Sequence, residues 1–177
     1  MRIIGGIYRG RKLADFSEIG VRPTSDMARE SLFNILRNDI PSARVLDLFC
    51  GTGAFGLEAL SRGAEFVTFN DCSRKSIELL KKNLSTLKIE QAHEIKSLDG
   101  ISLLKGVVKP YDVIFLDPPY GSEFVYRAVE ESVKVLADDG VVILENDNPQ
   151  TVQVSGARVV DNRRYGKAYF TFYKKEL

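Results

Sequence analysis

Four consecutive residues, Asp117-Pro118-Pro119-Tyr120, have the chemistry to hold a planar amine. They follow the apolar run 111–116, which predicts a buried strand of a parallel sheet. Prolines have no N–H to donate, so their carbonyls and the Asp117 carboxylate can act as fixed acceptors around one small donor. The ring of Tyr120 offers a face on which a flat base could stack. We interpret the four residues as a site for an exocyclic NH₂ group, such as that of adenine, cytosine or guanine; a proline turn beside a core tyrosine is the alternative.

A glycine loop follows an earlier predicted strand. Gly51, Gly53 and Gly56 match the pattern G-x-G-x-x-G. In this pattern the first glycines permit a tight turn and the close approach of a ligand, and the third permits a helix to pack on a strand. Asp71 lies twenty residues beyond Gly51, where an acid can bind ribose hydroxyls. The loop therefore predicts a nucleoside-binding site, with glycines that serve only the turn as the alternative.

The acids around this loop favour one class of ligand. Asp47, just before the loop, would repel the pyrophosphate of a dinucleotide, whereas S-adenosylmethionine brings a sulfonium and an ammonium cation to the same place. For charges a few ångström apart in a partly buried site, this preference is roughly 1 kcal/mol or more. Asp99 could accept from the adenine amino group, cap the turn that follows it, or do both. The sequence thus predicts S-adenosylmethionine as the cofactor.

The order of the predicted elements brings these two sites together. Apolar runs and helical patterns alternate along the chain, which predicts an α/β domain with a mostly parallel central sheet and an antiparallel C-terminal hairpin. In a doubly wound sheet with the order 3-2-1-4-5, strands one and four are neighbours, so the glycine loop and the Asp117 segment meet at one crevice. The expected strands are 44–49, 66–70, 94–98, 111–116 and 140–145, with a strand or hairpin at 2–12 and a hairpin of 158–163 with 168–173. One helix is expected after an N-cap at Thr24 or Ser25, and others at 54–62, 73–87, 101–104 and 123–136.

Length, composition and charge restrict the function without naming it. The 177 residues fit one domain, and contents of 44% hydrophobic and 28% charged residues are ordinary for a globular protein. The net charge is only +1, but basic residues concentrate in 1–14 and after Arg158, where contacts with phosphates or ordinary solvated faces are both possible. No membrane span or signal peptide is found, so a cytoplasmic protein is expected. His93 lies in a predicted polar loop, and no metal site is expected.

Several segments of the chain match one known family. The matching pieces are 5–13, 22–26, 29–34, 47–58, 59–64, 82–84 and 117–120. Through the glycine loop and D-P-P-Y the chain resembles the class I methyltransferases that modify amines. Through R-G-R-K-L at 9–13 and R-P-T-S-D at 22–26 it resembles more closely the RsmD family of 16S rRNA guanine-N2 methyltransferases. The resemblance spans almost the whole chain; one departure is Asp71, where the family often has Glu.

The resemblance implies a fold, a reaction and a set of site residues. The fold is Rossmann-like, with a mostly parallel seven-stranded sheet, helices on both faces and a small N-terminal extension, residues 1–37, within a single domain 1–177. The reaction is methyl transfer from S-adenosylmethionine to guanine N2 in 16S rRNA, within the small ribosomal subunit or its assembly intermediate, by a protein expected to be a monomer. The implied residues are Asp117, Pro118, Pro119 and Tyr120 for catalysis, Asp47, Phe49, Gly51, Gly53, Asp71, Asp99 and Thr24 for the cofactor, and Arg9, Arg11, Lys12 and Arg22 for RNA.

Two other functions fit parts of the pattern. An adenine-N6 methyltransferase acting on DNA or RNA would use the same amine chemistry, although the chain has no room for a target-recognition domain. A non-catalytic module that binds S-adenosylmethionine or RNA would be indicated by loss of Asp117 or of a loop glycine. None of these residues is lost.

Overall fold

A sheet flanked by helices forms the body of the protein, as described by a computed structural model over residues 1–15, 24–118, 121–147 and 153–176. The strands are β1 (Arg44–Asp47), β2 (Phe66–Asn70), β3 (His93–Lys96), β4 (Tyr111–Leu116), β5 (Leu136–Asn146), β6 (Ala157–Tyr165) and β7 (Ala168–Lys175). The helices are α1 (Asp26–Ile35), α2 (Ala54–Ser61), α3 (Arg74–Leu87), α4 (Gly100–Lys105) and α5 (Ser122–Lys134), with a 3-10 turn at Leu36–Asn38. Within the described ranges, no helix is long and apolar enough to cross a membrane.

The strand order confirms the predicted topology. It runs β3-β2-β1-β4-β5-β7-β6, so the first five strands are arranged as 3-2-1-4-5. These five pair in parallel, β7 pairs antiparallel with β5, and β6 pairs antiparallel with β7. The fold is therefore Rossmann-like, with the C-terminal hairpin extending one edge of the sheet.

The sheet is buried on both faces, which explains the continuous apolar runs of β1 and β4. Successive residues face opposite sides: Val113 and Phe115 join the core beneath α1, α2 and α3, while Ile114 and Leu116 join the core beneath α4 and α5. The ring of Phe33 in α1 lies 5.6 Å from the ring of Phe115. This contact fixes α1 against the sheet near the carboxyl end of β4.

Most element bounds follow the sequence pattern, and the differences lie at element ends. The strands at 66–70 and 111–116 have the predicted bounds. β1 ends at Asp47, two residues earlier than predicted. The chain nevertheless stays between its neighbours, because Leu48 N–H donates to the Phe115 carbonyl at 3.1 Å. The apolar run thus continues past the strand into the loop.

Predictions near several element ends are wrong. β5 begins at Leu136, four residues before its predicted start, so the helix predicted to reach Leu136 ends at Lys134. His93, predicted in a polar loop, instead begins β3. Its Nδ1 lies 2.8 Å from the Gln91 carbonyl, and its ring meets that of Phe69 edge-on.

Residues 1–15 form a hairpin that packs along the first core. Ile3 and Leu13 are buried in that core. Gly6 has a φ of 74°, and a side chain there would collide with the Ser61 carbonyl at the end of α2. Only glycine therefore suits this close contact.

A buried acid fastens this hairpin to α2. Glu58 is fully buried and accepts the N–H groups of Ile4 at 2.7 Å and Gly5 at 2.8 Å. It also accepts from Nε of Arg62 at 2.7 Å. Three donors on one carboxylate compensate the loss of its hydration. The N-terminal segment is thus bound to the main body by satisfied polar contacts as well as by apolar packing.

Candidate active site

A cavity of about 1000 Å³ opens at the carboxyl edge of the sheet. Loops that follow β1 and β2 and the start of α4 line one side, and the ends of β4 and β5 line the other. The N-terminal part of α1 and the turn at 165–168 complete the wall. A cavity of this size can hold a nucleoside-sized cofactor and a second planar group. We call the first side the glycine-loop half (Phe49, Gly51, Asp71 and Asp99) and the second the acid-pair half (Asp117 and Glu145).

Asp71 fixes the glycine loop through two backbone hydrogen bonds. Its Oδ2 accepts the N–H of Gly51 at 2.9 Å, and its Oδ1 accepts the N–H of Ser73 at 2.8 Å. Gly51 has a φ of 52°, and, apart from its two chain neighbours, no atom of the described residues lies within 4 Å of the place where its side chain would stand. The loop therefore presents bare backbone to the cavity.

The other two glycines of the pattern serve packing. Gly53 precedes α2 with a φ of 82°, and side chains at Gly53 and Gly56 would collide with Leu80 and Phe69, respectively. Neither glycine lines the cavity. Gly53, predicted to contact the cofactor, thus permits the turn of the loop and its close packing on Leu80.

Asp47 lies below the loop and does not line the cavity, and its role towards a cofactor stays a prediction. It is only 2% exposed and accepts the N–H of Gly56 at 2.9 Å in the first turn of α2. The N-cap residue Gly53 has no side chain, so Asp47 satisfies this helix terminus instead. Burial, with smaller effects from the charges of Asp117 and Asp71, raises the pKa of Asp47 to about 7. Asp47 can affect a bound ligand only through its charge.

Phe49 and Asp99 form the far wall of the glycine-loop half. The ring of Phe49 lies 5.7 Å from that of Phe124, which holds it at the edge of the cavity. Asp99 caps α4 by accepting the N–H of Ser102 at 2.9 Å and also lines the cavity. Capping and ligand contact are therefore compatible for Asp99.

Asn70, which the sequence analysis missed, ties the loops of this half together. Its Nδ2 donates to the carbonyls of Leu48 and Leu98, and its Oδ1 accepts the N–H of Leu98, all at 3.1 Å. The available signal was a polar residue that closes the apolar strand 66–69. Asn70 thereby sets the spacing between the loops after β1 and β3.

Asp117 and Glu145 lie side by side at the ends of two neighbouring strands. β4 and β5 pair with Leu116 opposite Leu144, so the Cα atoms of the next residues are about 5 Å apart. Asp117 is exposed to the cavity, but the surrounding protein desolvates its carboxylate and raises its pKa to about 6. Burial, and then the charge of Asp117, raises the pKa of Glu145 to about 8. The pair therefore carries fewer than two negative charges at neutral pH.

Thr24, just before α1, bonds Glu145, and Arg29 of α1 acts on Glu145 through its charge. The Thr24 hydroxyl lies 2.7 Å from Oε1 and 2.8 Å from Oε2 of Glu145. The wholly buried Arg29 donates through Nη2 to the Arg2 carbonyl and to Asp26 Oδ1, both at 2.7 Å. Its Nε and Nη1 have no hydrogen-bond partner among the described residues, and its charge counteracts the rise in the pKa of Glu145. Thr24, predicted on the cofactor side, thus contacts the acid-pair half.

Glu145 and Arg29 are further residues that the sequence analysis did not select. Glu145 closes the apolar run 140–144 as Asp117 closes 111–116, and this parallel was the available signal. Arg29 gave no such signal, because only the packing of α1 places it in the cavity wall. Both residues depend on tertiary contacts for their position.

Pro118 lines the cavity beside Asp117. Pro119, Tyr120 and Arg22 lie outside the residues that the structure describes. The stacking, acceptor and phosphate-binding roles assigned to them stay predictions.

Three of the basic residues predicted to bind RNA, Arg9, Arg11 and Lys12, do not line the cavity. The turn of the hairpin 1–15 packs at the C-terminal ends of α2 and α3, whereas the cavity lies at their N-terminal ends, and α3 is about 20 Å long. Arg11 donates to the carbonyls of residues 86 and 87, both at 3.0 Å, so its charge is engaged with the end of α3. Arg9 and Lys12 are exposed, as is Arg11, but the side chains of Arg9 and Lys12 have no hydrogen-bond or ion-pair partner among the described residues. Arg11 thus differs from Arg9 and Lys12 in its contacts.

The two halves of the cavity offer complementary chemistry. Carboxylates line both halves, and such a surface attracts a cationic ligand and disfavours one that carries phosphates. The acid pair adds acceptors that suit an amine. The arrangement fits the transfer of a group from a cationic donor to an amine.

Known proteins resemble this chain along most of its length. The family model described as Conserved hypothetical protein 95 matches residues 1–174. The Ribosomal RNA small subunit methyltransferase D of Escherichia coli (strain K12) is 44% identical over 140 residues, which are 79% of this chain and 68% of that protein. The Putative rRNA methyltransferase YlbH of Bacillus subtilis is 34% identical over 182 residues, covering 99% of both chains. The solved structure of the putative methyltransferase yhhF from Escherichia coli gives a TM-score of 0.86 at 32% identity and covers 99% of this chain and 98% of that one.

Proposed function

The chain belongs to the RsmD family, and on that premise we propose that it is an rRNA methyltransferase that uses S-adenosylmethionine to methylate the N2 amine of a guanine in 16S rRNA. Relatives named as rRNA methyltransferases support the rRNA substrate. The choice of guanine N2 rests on the resemblance of the N-terminal segments to the family and is the finer part of the proposal.

The meeting of the glycine-loop half and the acid-pair half at one cavity is the observation that carries this proposal. β1 and β4 are hydrogen-bonded neighbours, with Asp47 opposite Phe115. The loop after β1 and the tip after β4 therefore leave the sheet side by side, and both line the same cavity. A methyl donor on one half and an amine on the other are held within reach of each other, and such orientation is a major source of rate acceleration.

The residues of the glycine-loop half fit S-adenosylmethionine. Gly51 leaves room for close approach of the ligand, Asp71 lies where an acid can bind ribose hydroxyls, and Asp99 can accept from the adenine amino group. When bound, this cofactor supplies an electrophilic methyl group on a sulfonium. The carboxylates of the cavity, with Asp47 beneath the loop, favour that positive charge.

Asp117 and the Pro118 carbonyl act on the amine. An exocyclic amine is a weak nucleophile because its lone pair is delocalised into the ring. The two acceptors accept hydrogen bonds from its two N–H groups and direct the lone pair towards the methyl group. Tyr120 stacks on the base, which must leave its helix or loop to enter the cavity. Asp117 would accept the proton that the nitrogen releases on receiving the methyl group that S-adenosylmethionine would supply. A pKa of about 6 allows Asp117 to accept this proton and release it to water near neutral pH.

Arg9 and Lys12, which are exposed, contact RNA phosphates together with Arg22, while Arg11 serves the fold. The substrate is the small subunit or its assembly intermediate, and the protein acts in the cytoplasm as a monomer. The core shared by the hairpin 1–15 and the sheet supports a single domain, with 1–37 as its extension.

Labelled methyl transfer onto three substrates tests the proposal. Small subunits that lack the modification, naked 16S rRNA and double-stranded DNA are each incubated with labelled S-adenosylmethionine, and the product base is identified by mass spectrometry. We expect N2-methylguanine in 16S rRNA, lost in Asp117→Ala and kept in Asp139→Ala, whose exposed acid lies elsewhere on β5. Label in N6-methyladenine would indicate the adenine alternative. Cofactor binding without any transfer would indicate a non-catalytic module.

A further inference from the structure

We propose that Glu145 is a specificity-determining residue that accepts the N1–H of the guanine whose N2 amine Asp117 holds. The inference rests on the proposed function, because it requires a base to enter the acid-pair half. It concerns which base is chosen and not how the methyl group is transferred.

The strand register places the two acids for this task. Leu116 and Leu144 are paired and both belong to the core beneath α4 and α5. Because side chains alternate along a strand, Asp117 and Glu145 both face the opposite side of the sheet, towards α1. Both line the cavity. Two carboxylates that start about 5 Å apart can converge on two neighbouring hydrogens of one base edge.

Thr24 determines what Glu145 can offer to a base. A hydroxyl has one hydrogen, yet both carboxyl oxygens of Glu145 lie within 2.8 Å of Thr24 Oγ1. If Glu145 is ionised, it accepts from Thr24 and its remaining lone pairs are acceptors. If Glu145 is protonated, its proton lies between it and Thr24. In either state, Glu145 offers only acceptors to the cavity.

Two adjacent acceptors match guanine and not the other amino purines. Guanine presents N1–H next to its N2 amine, so two donors meet the two acids. Adenine and 2-aminopurine carry a lone pair on N1 next to their amines, and this lone pair would face an acceptor. One mismatch of this kind lowers the preference for a base by about tenfold to a hundredfold.

The positive charge of Arg29 offsets part of the cost of burying the Glu145 carboxylate. Its guanidinium is wholly buried in the wall of the same cavity. Nε and Nη1 have no hydrogen-bond partner in the part of the chain that the structure describes. Its positive charge favours the ionised form of Glu145, which is the stronger acceptor.

Atomic substitution of the target base tests the inference. Small subunits are reconstituted with 16S rRNA that carries guanosine or 2-aminopurine riboside at the target position, and kcat/KM is measured for each. Both bases have the amine, but only guanosine has N1–H. For the unaltered protein we expect guanosine to be preferred at least tenfold. In Glu145→Met, which keeps the length of the side chain but removes the acceptor, the preference should fall to less than about twofold. Glu145→Gln keeps a carbonyl and should retain most of the preference.

The outcomes separate this inference from the proposed function. A merely structural role for Glu145 would lower both rates equally and leave the preference unchanged in Glu145→Met, which overturns the inference alone. If Glu145→Met does not fold, Glu145→Leu takes its place: it also removes the acceptor and should likewise reduce the preference to less than about twofold. An unchanged preference there also overturns the inference. If the unaltered protein methylates no guanine, the proposed function fails and the inference with it.

Discussion

The two halves of the cavity hold their acids in opposite ways. In the glycine-loop half, Asp71 and Asp99 accept backbone N–H groups and are parts of the loops that they fix. In the acid-pair half, Asp117 accepts no hydrogen bond from any described residue, and Glu145 is held by the side chain of Thr24. Burial raises the pKa values of Asp117 and Glu145 to about 6 and about 8.

This difference shows how one cavity separates binding from reaction. Acids that accept backbone N–H groups hold a rigid surface, which suits a cofactor that must be bound in one orientation. Acids with little hydrogen bonding and raised pKa values retain the capacity to accept a new donor or a proton, which is typical of reacting groups. Exchange of an acid should therefore affect fold and cofactor binding in the glycine-loop half, and the choice or the reaction of the target base in the acid-pair half.

Asp117→Ala gives the largest expected effect. Methyl transfer should fall by about a thousandfold or more, because one acceptor of the amine and the proton acceptor are both lost. The affinity for S-adenosylmethionine should stay within about twofold, as measured by titration calorimetry. Asp139→Ala is the matched control. Turnover retained in Asp117→Ala would contradict the assignment of the chemical step to the acid-pair half.

Asp71→Ala should give the next largest effect, mainly on binding. Two backbone N–H groups lose their acceptor, so the loop loosens and the Kd for S-adenosylmethionine should rise about tenfold to a hundredfold. The free energy of unfolding should fall by about 1–3 kcal/mol, measured by denaturant titration. Asp71→Asn keeps one acceptor oxygen and should lie between Asp71→Ala and the unaltered protein. Normal affinity in Asp71→Ala would show that the loop does not need this carboxylate.

A smaller effect is expected in the pH dependence of stability. The pKa values of Asp47, Asp117 and Glu145 are about 7, 6 and 8 in the folded protein, above their ordinary values near 4. Between pH 4 and pH 8 the folded state therefore binds more protons than the unfolded chain, and the free energy of unfolding falls as the pH rises. We expect the Tm of the ligand-free protein to decrease from pH 5 to pH 8. Asp117→Asn and Glu145→Gln should flatten this decrease, and a Tm that rises across the window would contradict it.

The smallest effect compares two arginines of the N-terminal hairpin. Arg9→Met should lower the slope of RNA affinity against salt concentration by about one, because an exposed phosphate contact is lost. Arg11→Met should leave that slope unchanged and lower the free energy of unfolding by about 1 kcal/mol, since Arg11 bonds the end of α3. Filter binding at several salt concentrations, with denaturant titration, measures both. An equal decrease of the slope in both variants would show that Arg11 also contacts RNA phosphates, and an unchanged slope in both would assign Arg9 to the fold as well.

Much of the fold could be predicted because burial leaves a strong trace in the sequence. The strands 66–70 and 111–116 are mostly apolar, and the polar residues Asn70 and Asp117 mark where the apolar runs stop, so their bounds follow from composition. The strand order then follows from the usual topology of alternating elements. The end of β1 could not be predicted, because the buried chain after Asp47 is as apolar as a strand but turns into the glycine loop.

The site could be predicted only in part, for reasons that differ between residues. Asp117 and Asp71 follow apolar strands, and strand ends at this edge meet by topology. Asp47 also closes a strand, but its side chain points beneath the loop, and no sequence pattern gives that direction. Glu145 depends on its register with β4, and Arg29 on the packing of α1. Such tertiary contacts leave no periodic signal.

The most direct test of the separation between binding and reaction is single-turnover methyl transfer at increasing concentrations of S-adenosylmethionine. Asp71→Ala and Asp117→Ala are compared with the unaltered protein on small subunits that lack the modification. At saturating cofactor, Asp71→Ala should recover to within about tenfold of the unaltered rate, while Asp117→Ala stays at least about a thousandfold below it. Recovery of both variants, or of neither, would contradict the assignment of binding to the glycine-loop half and of chemistry to the acid-pair half.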